Sequence, residues 1–149
     1  MKLIKKIAAI MFAFMMVVSM GCNIKAVEGT SPETTGTLTI NYVKENQTYK
    51  LYKILDLESF SGDNYSYTIA TGWEGFFKSG GEGATYMENN ENGYISFKKG
   101  MDAEDNLRKF AQKALEYATN KKITPVETFT TTTGQTTITK DSLDLGYYL

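Results

Sequence analysis

Histidine is absent from all 149 residues, and cysteine occurs once, at Cys22. Without histidine the chain lacks the commonest general base and metal ligand of neutral pH, and a Ser-His-Asp triad is unavailable. A lone cysteine excludes an intramolecular disulfide and a cysteine zinc site. Charge of one sign is missing too: 16 basic residues stand against 17 acidic ones, for a net charge of −1. That balance gives no electrostatic reason to expect nucleic acid or an anionic membrane surface as partner. What remains is one domain's worth of chain, long enough to bury a core and rich in aromatics, with ten tyrosines and eight phenylalanines. Such aromatics suit a sheet.

The only sustained apolar run lies at the start. Lys2, Lys5 and Lys6 precede Ile7 to Met20, which is apolar throughout except Ser19. The run is short for a bilayer span and fits a secretory signal peptide covering residues 1–26, with Gly21 and Ala26 as small residues for cleavage. Contact with membrane is expected only through this leader. Cys22 raises lipidation as an alternative, but Val18-Ser19-Met20-Gly21 before it fits that motif poorly, so ordinary cleavage is favoured. Residues 27–36 are polar, contain Pro32, and read as a linker.

From Gly36 to Ala70 the pattern is that of strands. Leu38, Ile40 and Tyr42 alternate with Thr37, Thr39 and Asn41, predicting a half-buried strand over Thr37 to Val43. Glu45 and Asn46 interrupt, and Tyr49 to Leu57 forms a second run. Ser61-Gly62-Asp63-Asn64 supplies turn chemistry before a third, Tyr65 to Ala70. Short strands joined by short polar turns predict an antiparallel meander. Trp73, Phe76 and Phe77 predict a helical turn over Thr71 to Lys78; Gly80, Gly81 and Gly83 a flexible loop; Tyr94 to Phe97 a short strand.

A helix is expected over Asp102 to Asn120. Leu107, Phe110, Ala111, Ala114, Leu115 and Ala118 form one apolar stripe, with Arg108, Lys109, Gln112, Lys113 and Glu116 opposite. Asp102 is the expected N-cap. The stripe reads as core packing against a sheet, with a groove for a partner helix as the rival. Thr128 to Lys140 reads as an exposed hairpin split at Gly134-Gln135, or as a glycosylated segment. The chain closes on Leu143 to Leu149, whose alternation is still running at Leu149. It is therefore expected to stop inside a strand of an unfinished domain, leaving an edge open to strand donation.

Candidates for chemistry are few. The carboxylates form no matched dyad. Asp63-Asn64 and Asn89 to Asn92 lack the ligand alternation of a calcium loop, and turn chemistry accounts for both. Tyr65, Tyr67 and Trp73 offer a sugar-stacking platform, with core or cross-strand pairing as the plainer reading. Lys53 shares the phase of Tyr49, Leu51, Leu55 and Leu57. On an inward face it would be a buried amine of lowered pKa, a neutral nucleophile. The favoured alternative is a bulge near Tyr52 that flips the register, because Tyr52 and Ile54 are apolar as well. No cofactor, metal or catalytic residue is expected.

The segments GTLTINYVKENQTYKLYKILDLESFSGDNYSYTI, FAQKALEYATNKKITP and LDLGYYL, in that order, resemble the N-terminal domain of Gram-positive sortase-assembled pilin subunits, the SpaA-type, isopeptide-forming fimbrial proteins. The resemblance covers nearly all of the chain beyond the leader. It implies an immunoglobulin-like antiparallel β-sandwich with one packed helix over residues 37–149, in a secreted, cell-wall-linked structural protein rather than an enzyme. The implied partners are other pilin subunits and sortase, with host protein or glycan for adhesion. In that family sortase joins a lysine in a YPKN-like motif to an LPXTG-like sorting signal, and neither motif occurs here. Some family domains also form a Lys–Asn isopeptide bond assisted by a buried acid. The asparagine would fall beyond Leu149, so no bond is assigned. The rival expectation is a secreted monomeric adhesin binding through Tyr65, Tyr67 and Trp73.

Overall fold

Two apolar neighbours in one strand cannot share a face, and Leu51-Tyr52 shows how the chain uses this. The computed structural model describes residues 15–17, 35–61 and 64–149. In chain order it contains β1 (Met15–Val17), β2 (Thr35–Asn41), β3 (Thr48–Leu51), β4 (Lys53–Ser61), β5 (Asn64–Ile69), α1 (Glu74–Phe77), a 3-10 turn (Glu82–Thr85), β6 (Met87–Asn89), β7 (Ile95–Phe97), α2 (Glu104–Lys121), β8 (Glu127–Thr130), β9 (Thr137–Asp144) and β10 (Gly146–Tyr148). The protein is mainly β, with antiparallel sheets and one longer helix. One sheet has six strands in the order β1-β10-β4-β5-β7-β6, and β2–β9 and β3–β8 form two-stranded ribbons.

The run from Thr48 to Ser61 is interrupted only at Tyr52, where it changes partners. The Leu51 carbonyl accepts the Val126 N–H at 2.8 Å, beside β8, whereas Tyr52 exchanges both its backbone bonds with Leu149 at 2.8 Å, beside β10. Past Tyr52 the β4–β10 register shifts between Tyr147 and Tyr148, which face Leu55 and Lys53. The expected bulge is therefore present, and it lets Ile54 and Leu55 both enter the same core.

That core lies between the six-stranded sheet and the helices. It gathers Tyr52, Ile54, Leu55, Trp73, Phe76, Phe110 and the small Ala114 and Ala118 of α2. Phe110 is fully buried, with the rings of Phe76, Phe77, Tyr86 and Phe97 at 5.5–6.2 Å. The second core, Leu38, Leu51, Leu143, Leu145 and Tyr148, joins the two ribbons to β10. Strand side chains alternate faces, so adjacent Tyr147 and Tyr148 enter different cores and β10 is buried on both sides.

Several sequence expectations need correction. β2 does not pair with its neighbour in a meander; it pairs with β9, from Thr35–Asp144 to Asn41–Thr137. It ends at Asn41 rather than Val43 because Tyr42 takes φ +59°, a left-handed conformation that no strand continues through. The threonine-rich halves around Gly134 do not pair with each other: β8 pairs with β3, and β9 with β2. Asp102 does not cap α2. Ala103 occupies the N-cap without a side-chain bond, and the helix begins one residue later than an Asp102 cap requires. At the other end Lys122, at φ +54°, returns its N–H to Ala118 and Thr119, while the Ile123 N–H reaches the Ala118 carbonyl at 2.9 Å. The glycine loop is partly ordered as the 3-10 turn. A Cβ on Gly83 would stand 2.6 Å from the Phe76 ring, so that glycine serves close packing. β6 has no counterpart among the sequence-predicted strands.

Candidate functional site

Lys53 is the one site residue from the sequence whose surroundings the structure describes; Cys22 and most of the residue 1–26 leader lie outside the described residues. The first residue of β4, Lys53 keeps only 14% of its side-chain surface exposed. Its Nζ lies 2.5 Å from Asp56 Oδ1, three residues along the same strand, and 4.0 Å from Asp144 Oδ2 at the end of β9. At that distance the amine and the Asp56 carboxylate form a close ion pair. The register slips beside Lys53, and the lysine stem is largely covered.

The sequence analysis missed the rest of this corner. Tyr148, in β10, donates its hydroxyl proton to the backbone carbonyl of Asp144. Burial pushes the Tyr148 hydroxyl well above the usual phenol range, and the nearby carboxylates of Asp144 and Asp56 push in the same direction. Gly146 provides the room: a Cβ there would stand 2.4 Å from the Leu55 carbonyl oxygen and 2.7 Å from Lys53 Cε. A signal was available, because Leu-Asp-Leu occurs twice, at residues 55–57 and 143–145, and each copy brings its aspartate to Lys53. Chemically the arrangement holds one ammonium between two carboxylates and fastens β4 to the β9–β10 corner.

The other candidates separate. Trp73 is buried against Phe76 and Tyr117, with ring centroids 5.7 Å away in each case, so it shares no exposed platform with Tyr65 and Tyr67. Tyr65 and Tyr67 stack at 6.4 Å, and Tyr67 meets the edge of Tyr147 at 6.4 Å. Burial, followed by the neighbouring Tyr65, pushes Tyr67 up to about 12. In the Asn89–Asn92 turn, Asn90 Oδ1 accepts the N–H groups of Asn92 and Tyr94 at 3.0 Å each, which is turn chemistry. Asp63 lies outside the described residues. Among the described residues no group of three or more potential metal ligands occurs.

A buried threonine is a second feature the sequence reading passed over. Thr131, between β8 and β9, donates its hydroxyl to the Lys44 carbonyl at 2.6 Å and accepts the Gln47 N–H at 3.0 Å. Its own N–H goes to the Gln47 carbonyl at 2.9 Å, and its carbonyl takes the Asn46 N–H at 3.1 Å. The Glu45 carboxylate also accepts the Gly134 N–H at 2.8 Å. These bonds lace the β2–β3 turn to the β8–β9 turn. Lys140 and Glu127, 2.6 Å apart, join the middle of β9 to the start of β8 and so tie the two ribbons together. Comparison of the chain with protein-family models, with curated proteins and with solved structures gives no match.

Proposed function

We propose that residues 37–149 form the N-terminal, immunoglobulin-like β-sandwich domain of a structural subunit of a Gram-positive cell-surface pilus. In this reading the subunit is exported by its leader, polymerised by sortase, linked to the cell wall and used in adhesion. One observation carries the proposal. The segments on which the pilin resemblance rests span β2, β3, β4, β5, much of α2, the end of β9 and β10, and they supply Ile54, Leu55 and Phe110 to one core and Leu38, Leu51, Leu143, Leu145 and Tyr148 to the other. A resemblance confined to surface turns would carry no such weight. The physical design suits a fibre module as well. Load entering along β4 is shared with β10 on one edge and β5 on the other, and antiparallel ladders resist such shear through many backbone bonds acting together. No helix among the described residues is long and apolar enough to cross a membrane.

The test is made on cell-wall material from the native host, separated under denaturing conditions and probed with an antibody to α2. A ladder of covalent species that collapses to one band when sortase is deleted is the expected result. A single monomeric band in wild-type cells overturns the polymer and favours the monomeric adhesin. Intact-mass measurement on the exported protein checks the leader: loss of residues 1–26 is expected, and a diacylglyceryl adduct on Cys22 would instead establish lipidation.

A further inference from the structure

Among the described residues, the pairing widest apart in sequence joins β1 to β10. β1 lies antiparallel to β10, with Met15 opposite Tyr148, Met16 opposite Tyr147 and Val17 opposite Gly146. These three residues belong to the stretch read as a removable leader. The strand they cover is buried on both faces and sits between β1 and β4.

Hydrogen-bond parity identifies which groups β1 covers. The Leu145 carbonyl accepts the Leu57 N–H at 3.2 Å, and Leu149 exchanges both bonds with Tyr52 at 2.8 Å. In an extended strand, residues two apart present their peptide groups to the same edge. Leu145, Tyr147 and Leu149 therefore face β4, and the peptide groups of Gly146 and Tyr148 face β1. Nothing on β10 itself guards that edge: Gly146, Tyr147 and Tyr148 include no charge, no proline and no bulge of their own. The opposite edge of the same sheet, β6, carries the exposed Glu88 and Asn89, as edge strands commonly do.

We propose that the outer edge of β10 is a strand-pairing interface, covered by β1 in the precursor and, after the leader is removed, occupied by β10 of a second copy. The inference rests on the secretion reading for the removal of β1. Self-pairing fits the register. An antiparallel β10–β10 pair centred on Tyr147 places Gly146 of each copy opposite Tyr148 of the other, so the two residues with edge-facing peptide groups bond reciprocally. The second copy thereby reproduces the pattern in which Met15 and Val17 stand opposite Tyr148 and Gly146. Removal of residues 1–26 takes Lys2, Lys5, Lys6 and Lys25 with it, so the net charge goes from −1 to −5 and added salt should favour the dimer by screening.

The experiment combines sedimentation with residue-resolved hydrogen exchange at Gly146 and Tyr148, using Ala114 of α2 as a reference for folding. The precursor should be monomeric with both edge amides protected. Val17→Pro in the precursor removes the N–H that the register sets opposite Gly146. It should lower protection at the two edge amides by roughly tenfold or more at low concentration, leave Ala114 unchanged, and produce a dimer as concentration rises. The processed, secreted chain should be a dimer with both edge amides protected. A processed chain that stays monomeric at its highest soluble concentration overturns the proposal, whether its edge amides exchange freely or not. If Val17→Pro also strips protection from Ala114, that variant has unfolded and the processed chain decides the matter. If mass shows the leader retained on export, the secretion reading fails while Val17→Pro still tests the edge.

Discussion

The two cores are built on different principles. The helix-side core is rich in aromatics and, though it runs from Tyr52 to Tyr147, is built around two local clusters: Trp73, Phe76 and Phe77 stand close in the chain, and α2 brings Phe110, Ala114 and Ala118 as one stripe. The second core is aliphatic and assembled from distant pieces, with Leu38 and Leu51 meeting Leu143, Leu145 and Tyr148. The first is held by ring packing and close helix approach. The second depends on ribbons whose turns must be laced together by polar groups, chiefly Thr131. Where contacts are local, apolar periodicity suffices to specify them; where they are distant, a few polar anchors must fix the register.

The strongest way to break the helix-side core is Phe110→Ala. Its ring is fully enclosed by aromatic neighbours, so the cavity should lower unfolding free energy by about 3–5 kcal/mol, measured by urea denaturation. Leu143→Ala attacks the second core and should cost about 2–4 kcal/mol, because Leu143 is buried between β9 and the ribbon strands. If hydrogen exchange shows α2 loosening as much as β2 in Leu143→Ala, the cores form one cooperative unit and not two. Thr131→Val keeps shape but deletes the hydroxyl that serves Lys44 and Gln47. A loss of about 1–3 kcal/mol is expected, with exchange rising first at the Gln47 amide.

Alkaline titration sharpens the same comparison. Tyr147 and Tyr67 edge the helix-side core and Tyr148 lies in the second, and burial raises all three hydroxyls above the ordinary tyrosine value of about 10. A raised folded value means that the neutral phenol is favoured by folding. The stability these groups provide is therefore fully present below about pH 10 and is lost as pH climbs through the folded values, with Tyr67 ionising at about 12. Denaturation midpoints that stay flat from pH 10 to pH 12 would contradict this. The smallest effect is expected from Arg108→Ala, whose exposed pair with Glu104 at 2.9 Å should change stability by less than about 0.5 kcal/mol. An effect equal to that of Phe110→Ala would mean that the helix is not docked by its stripe.

Legibility in the sequence follows the same division. The helix and its buried face could be read from spacing, and so could the strand character of residues 37–41, 49–51, 53–57 and 65–69. Partner choice could not. Alternation in β2 states which face is apolar but not that β9 will cover it, and threonine-rich β8 and β9 look like each other's partners. The candidate corner was half visible. Lys53 stood out by its phase, whereas Asp144 and Tyr148 became its neighbours only through a long-range pairing. Tyr42 shows a third kind of gap: its alternation says strand, yet it is 90% exposed at φ +59°. Strand pattern and turn geometry overlap there, and the turn that leads to Thr131 decides.

The pairing of β2 with β9 has a consequence for the order of events in synthesis. Thr37 and Asp141, which share a 2.8 Å hydrogen bond, are 104 residues apart. A chain emerging from its N-terminus must carry β2 and β3 without partners until the last segments follow. Long-range closure of this kind is slow, on the order of milliseconds to seconds. The helix-side hairpin of β4 and β5 can form early, but the ribbons and second core cannot. Delay of that sort keeps a polypeptide threadable while it is being made, which suits the export proposed above.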